Sequence, residues 1–346
     1  MDPITQATIG AVASQCVFGR SLGRSAAVIG LLGGLMPDVD VFFSGLADPA
    51  FPGEFHRHFT HSLLFIPIGG ALTALPFYLF SRFRKAWLPT LAAATLGVAT
   101  HGLLDAMTSY GTHLWLPFSD SRSAWDVISI IDPIFTLTLL IGMCWAVMNR
   151  SHWPARAAML LALGYLCLGW VQQQRGLEVQ RTLAATRGHD VERGRVMPTL
   201  GNLLVWRSIY EADGMIHADA LRIPPIGRPT VRPGASVPLL SVSSLPAHMH
   251  QDARFSRLLH RFDRFTDGWM AWSNEHEGVI GDMRYSLVTE GFAPLWGLQL
   301  FHPDDPLQMD AGWARLMDNR ETSIAALWQD ILNADQFGPV TLLSAE

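Results

Sequence analysis

Lysine is nearly absent from this chain, with Lys85 the single example, and cysteine is confined to Cys16, Cys144 and Cys167. The three thiols are far apart in apolar runs with no C-x-x-C pair, which excludes a cysteine zinc site and dithiol redox chemistry. Charge is scarce too: 16% of the 346 residues are charged against 49% apolar, and mean hydropathy is +0.21. Disorder and an ordinary soluble globule are both excluded by that balance. With a formal charge of −5 there is no basic field to collect a phosphate backbone, so nucleic acid is excluded as a partner. Neither a Gly-rich phosphate loop nor a G-x-S-x-G elbow is present. The opening Met-Asp-Pro-Ile-Thr-Gln-Ala has no basic region ahead of its apolar stretch, so targeting is expected to come from membrane segments and not from a cleaved leader.

What charge there is lies unevenly. Only 19 of the 55 charged residues fall at or before Arg175, although that point nearly halves the chain. Four windows lack Asp, Glu, Lys and Arg at close to spanning length: Leu63 to Ser81, Ala86 to Leu104, Pro133 to Asn149 and Ala157 to Gln174. Two shorter runs, Thr5 to Gly19 and Ser25 to Pro37, flank a Gly/Arg turn and predict a tight helical hairpin, with Gly30, Gly33 and Gly34 allowing close approach. After Arg175 the composition becomes soluble. Asn202 to Tyr210, Met215 to Ile223, Gly278 to Val288 and Leu295 to Phe301 read as strands, Pro224 to Pro246 as a proline-rich link, and Asp252 to Phe265 and Ser323 to Leu332 as helices. The expected fold is therefore mainly α: a polytopic transmembrane helical bundle over residues 1–175, followed by a soluble α+β domain rich in antiparallel strands over residues 176–346.

Ionisable groups beside membrane helices are costly and mark polar sites. Here they gather on one side of the expected bundle. Asp38 and Asp40 follow Pro37, His56-Arg57-His58-Phe59-Thr60-His61 stands at the mouth of the next span, and His101 and Asp105 share a helix face at i,i+4. Asp126 and Asp132 come next in the chain, and His113 lies in the same outer loop. Imidazoles and carboxylates without thiolate are the donor set for a divalent ion: zinc first, manganese or iron as alternatives. Such an ion acidifies water and points to hydrolysis. The distal His248-x-His250 has no matching carboxylate motif and reads as a surface loop.

These residues resemble a known family, the metal-dependent membrane hydrolases also described as LexA-binding inner-membrane-associated hydrolases. The likeness rests on Leu35-Met36-Pro37-Asp38-Val39-Asp40, His56-Arg57 with Thr60-His61-Ser62, and His101-Gly102-Leu103-Leu104-Asp105 with Thr108-Ser109-Tyr110-Gly111. It extends to Trp115-Leu116-Pro117-Phe118 leading to Asp132-Pro133 and covers residues 1 to about 175. Later, Gly281-Asp282-Met283-Arg284-Tyr285 is similar to an Asp-Leu-Arg-Phe element of longer members. The resemblance implies a metal held by Asp38, Asp40, His56, His61, His101 and Asp105. His58 departs from the family pattern, which commonly has a small residue there. His58 and Asp132 are the candidates for moving a proton, and Arg57 for contacting an anionic substrate group. The expected substrate is a phosphoester or lipid-linked molecule at the bilayer interface. The alternative is a non-enzymatic membrane protein that regulates a partner and uses the metal structurally.

Loop arginines place Arg20, Arg24, Arg82, Arg84, Arg150 and Arg156 on one side, the cytoplasmic face of an inner membrane, and the site and distal domain on the other. Thiol labelling from outside intact cells should therefore mark a cysteine introduced at Ser121 and one near Gly234, and spare one at Ser81. Labelling confined to Ser81 would reverse the orientation.

Overall fold

The computed structural model describes residues 1–44, 56–245, 249, 253–301, 310–317 and 320–340. His248 and His250 lie outside the described residues. The chain is a mixture of helices and antiparallel sheet in two compact units, residues 1–47, 55–171 and 200–202 forming the first and the rest of the chain the second.

The first unit is helical. It contains α1 (Pro3–Leu22), α2 (Ser25–Leu35), the short α3 (Val41–Ser44), α4 (Phe65–Ala74), the short α5 (Ser81–Lys85), α6 (Trp87–Ala106), α7 (Pro133–Met148) and the first half of α8 (Trp153–Thr186). Asp-Pro begins both α1 and α7: Asp2 accepts from the Thr5 amide, Asp132 accepts from the Phe135 amide, and each proline sits at the first helical position, where its missing N–H costs nothing. The span expected over 63–81 is broken. Its helix stops at Ala74 and continues as a 3-10 segment, Leu75–Leu79, through Pro76.

Among the described helices, α6 and α8 are long and apolar enough to cross a membrane, and α2, α4 with its 3-10 continuation, and α7 are shorter apolar helices. Large apolar side chains at Ile134, Leu137, Ile141, Trp145 and Met148 make an exposed stripe along α7. Arginines collect at one set of helix ends. Arg24 donates to the carbonyls of Val147 and Met148, Arg82 to Leu22 and Arg156 to Cys16.

In the second unit, residues 172–186 of α8 are followed by a five-stranded antiparallel sheet ordered β1-β2-β3-β4-β9 and a four-stranded antiparallel sheet ordered β5-β6-β7-β8. The first comprises β1 (Arg193–Pro198), β2 (Val205–Ala212), β3 (Met215–Arg222), β4 (Thr230–Pro238) and β9 (Gly338–Pro339). The second comprises β5 (Met270–Trp272), β6 (Val279–Asp282), β7 (Trp296–Phe301) and β8 (Asp310–Arg315). Helices α9 (Ala253–Thr266) and α10 (Arg320–Leu332) complete the unit. The stretch read as a proline-rich link contains β4, because Pro233 and Pro238 are accommodated where the ladder bulges and ends. Arg284 pairs with Asp282 inside this unit at 2.8 Å and donates to the Phe265 carbonyl. Arg207, buried, donates to five carbonyls between Met283 and Gly291 and so fixes that loop.

Close approach of α1 and α2 depends on Gly10, Gly30 and Gly34, since a Cβ at Gly30 would collide with the Gly10 carbonyl and the Ser14 side chain. Gly30→Ala should cost about 2 kcal/mol of stability through overpacking. Thermal unfolding in detergent, followed by circular dichroism, should show a lowered midpoint, and an unchanged midpoint would refute this packing.

Candidate metal centre

Pro37 ends α2 and starts a 3-10 turn, Pro37–Asp40, that projects Asp38 and Asp40. A second 3-10 turn, Phe59–His61, presents His61, and the last turns of α6 present His101 and Asp105. Gly102 lets the two segments touch, since a Cβ there would strike the His61 carbonyl. His61, His101 and Asp105 are buried, and Asp38 is partly open at 20% side-chain exposure.

Four ligand atoms converge. His61 Nε2 and His101 Nε2 are 3.0 Å apart, and each is 3.3 Å from Asp38 Oδ1. Asp105 Oδ2 lies 3.5 Å from His61 Nε2 and 3.8 Å from His101 Nε2. Donors sharing one tetrahedral ion at about 2.0–2.2 Å stand about 3.3–3.6 Å apart, and the five separations, 3.0–3.8 Å, bracket that range.

The tautomers sharpen the fit. His101 Nδ1 donates to the Gly34 carbonyl at 2.6 Å, so in the neutral ring the lone pair is on Nε2. Thr60 gives its hydroxyl hydrogen to Asp40 Oδ2 at 2.9 Å, so its oxygen accepts from His61 Nδ1 at 3.1 Å. The His61 Nε2 is then a lone pair as well. Two lone pairs facing each other at 3.0 Å repel unless a cation lies between them, and Asp105 Oδ2 is a buried oxygen without a hydrogen bond. Burial pulls the pKa of His61 down to about 4, so at neutral pH the ring is uncharged and available as a ligand.

Asp40 and His56 stand one layer out. Asp40 accepts from His56 Nδ1 at 2.9 Å, from Thr60 and from the Arg57 amide at 3.1 Å, and its Oδ2 is 3.5 Å from His61 Nδ1. Burial opposes its ionisation, yet hydrogen bonds from His56 and Thr60 hold its carboxyl below the usual range. Asp40 thus bonds His56 directly and steadies His61 through Thr60, the outer-layer support that orients metal ligands. His56, with Asp38 and His61, makes a second group whose ligand atoms lie within 4.8 Å of one another.

The other expected site residues take different places: Arg57 beside Asp105, His58 and Asp132 outside the cluster. Arg57, in a left-handed turn at φ 68°, is buried with Nε 3.2 Å from Asp105 Oδ2 and its guanidinium against Thr108 and the Gly111 carbonyl. A guanidinium enclosed in this way balances Asp105 and does not reach out to an anion. His58 packs its ring against His113, with centroids 5.4 Å apart. Asp132 caps α7 and accepts the Tyr165 hydroxyl at 2.8 Å, and burial pushes its carboxyl above the usual range. Gln6 was not anticipated: its amide donates to Asp105 Oδ1 at 2.8 Å, and the Met1 amino group also contacts that oxygen. The only sequence signal was a polar residue within the apolar face of α1.

A family model described as YdjM inner membrane protein matches residues 1–176, just over half of the chain, and takes in every residue of this cluster. No curated protein and no solved structure matches the chain.

Protein purified in detergent should carry a divalent ion by elemental analysis. His101→Ala or Asp105→Ala should remove most of it, and Asp40→Ala should weaken affinity by about 10–100-fold by loosening both imidazoles. Unchanged metal content in all three would sink the assignment.

Proposed function

Because this chain belongs to the YdjM inner membrane protein family, we propose that it is a multi-pass membrane metallohydrolase acting on a phosphoester or lipid-linked substrate at the bilayer surface. The observation that carries the reading is the convergence of two imidazole lone pairs and two carboxylates at 3.0–3.8 Å. Asp38, His61, His101 and Asp105 would hold the ion, zinc being favoured by a four-donor N/O set, with manganese or iron as alternatives. When bound, it acidifies water to a nucleophile at neutral pH and polarises the oxygen of the bond to be cleaved.

The protein groups divide the remaining work. His56 has 30% of its side chain exposed and donates through Nδ1 to Asp40, so its Nε2 is placed to accept a proton on the open side of the cluster. Arg57 offsets Asp105 in a setting of low dielectric, where an unbalanced carboxylate is costly. Apolar side chains border the donors in sequence and are exposed: Val41 and Phe42 after Asp40, Phe59 before His61, and Leu64 after it. The loop that carries exposed Trp115 and Phe118 is tied to this segment by the Leu63 amide on the Leu114 carbonyl. Such a border favours a substrate with an apolar tail over a free polar ester. The loop arginines support a site on the non-cytoplasmic face.

One observation favours a structural metal in a regulatory protein instead. Four protein donors, three of them buried, are the number that closes a structural zinc site. Full-length protein in nanodiscs, loaded with zinc or manganese, separates the two readings when assayed on phosphatidyl and bis-p-nitrophenyl phosphodiesters. Metal-dependent turnover is expected, and His56→Ala should lower kcat about 10²-fold while metal content stays intact. Stoichiometric metal with no turnover on either ester class would select the structural reading.

A further inference from the structure

Between β3 and β4 the chain reads Ile223-Pro224-Pro225-Ile226-Gly227-Arg228-Pro229. Three prolines fix φ at three of these seven positions, so the loop is stiff. At its tip Ile226 is 92% exposed, more than any other large apolar side chain among the described residues, and Pro225, Gly227 and Arg228 are exposed beside it. A rigid loop that holds an isoleucine in water gains nothing for folding.

The base of the loop is fastened to α8. The Gln172 amide donates to the Ile223 carbonyl at 2.5 Å, and the Arg175 guanidinium donates to the carbonyls of Pro224 at 2.6 Å and Gly227 at 2.7 Å. Arg175 is itself steadied by Gln172 Oε1 at 2.7 Å, and the absence of a side chain at Gly176 leaves room for Val196 and Ile223. The attachment falls where α8 changes character. Its apolar stretch ends at Gly169-Trp170-Val171, with Trp170 and Val171 half exposed, and continues as Gln172-Gln173-Gln174-Arg175. At 1.5 Å per residue, Arg175 lies about 6 Å along the helix beyond Val171. The headgroup layer adds about 5–7 Å to the hydrocarbon on each side of a bilayer. A helix that leaves the hydrocarbon at Trp170 and Val171 therefore carries its Arg175-bound loop within the headgroup layer.

We propose that the Pro225–Arg228 tip is a lipid-docking element: Ile226 inserts at the bilayer interface and Arg228 contacts lipid phosphate. The inference rests on α8 crossing the membrane and is independent of the metal site. Preset geometry makes the contact cheap in conformational entropy, and an arginine beside an apolar tip suits an anionic headgroup above hydrocarbon.

Spin-label accessibility on full-length protein tests it, in vesicles of phosphatidylethanolamine and phosphatidylglycerol. Cys144→Ser and Cys167→Ser remove the exposed thiols and leave the buried Cys16. Labels are then placed at Ile226→Cys, at Leu161→Cys as the deep reference on α8, and at Thr182→Cys as the aqueous reference on the same helix. The oxygen-to-nickel-chelate accessibility ratio at 226 should exceed that at 182 several-fold and approach that at 161. Adding Arg228→Glu should lower it. A ratio at 226 equal to that at 182, with 161 deep, would overturn the proposal and leave the span intact. Low collision rates with both reagents at 226 would indicate a protein partner and overturn it as well. Aqueous values at both 161 and 226 would remove the spanning reading of α8 and the docking tip with it.

Discussion

The physical problem around which the first unit is organised is the burial of Asp105 and the His61 and His101 imidazoles at one point in a charge-poor set of helices. A buried carboxylate costs several kcal/mol unless it is balanced, and two Nε2 lone pairs 3.0 Å apart add repulsion of their own. The surrounding structure supplies what balance it can. Arg57 takes a left-handed backbone to bring its guanidinium to Asp105, and Gln6 reaches across from α1. The Gly34 carbonyl and the Asp40–Thr60 pair set the two imidazole tautomers so that both lone pairs face inward. Arg57 and Gln6 lower the cost of Asp105, but the inward-facing lone pairs stay unbalanced unless a cation completes the set, which is the physical argument for a metal at this position.

The glycines follow from the same requirement. Side chains can meet at 3.0–3.8 Å only if the backbones that carry them come unusually close, and Gly102 against the His61 carbonyl makes this possible for the two histidine segments. Gly10, Gly30 and Gly34 do so for the α1–α2 hairpin, whose Gly34 carbonyl also orients His101. Helix packing and site geometry thus share residues, as expected where interfaces are built from small residues and backbone approach, with little hydrophobic drive between helices.

The second unit uses buried polar side chains differently. Arg207 and the Asp282–Arg284 pair are bonded to carbonyls and carboxylate within the unit, so they hold its loops. Gln180 does the same between α8 and the first sheet, donating to the carbonyls of Arg195 and Ile209. The family match ends at residue 176, so the chemistry argued for this protein lies in the portion that the family shares, and the β unit is the feature that the match leaves out.

Local signals in the sequence determined much of this. Charge-free windows, and stretches rich in β-branched and aromatic residues bounded by Gly, Pro or Asp, located most helices and the strands β2, β3, β6 and β7, because each depends on neighbours within a few residues. The i,i+4 spacing of His101 and Asp105 placed both on one face for the same reason. The roles inside the cluster depended on contacts across 40 positions or more, such as His61 with His101 and Arg57 with Asp105, which periodicity does not encode. Asp38 and Asp40, one residue apart and chemically identical, illustrate the division. Their pattern marked both as ligands, but in the fold Asp40 is reached by His56, Thr60 and the Arg57 amide, while Asp38 is left facing the two imidazole lone pairs. Which carboxylate faces the two imidazoles and which is taken up by its neighbours was decided by the donors that the tertiary structure brought to each.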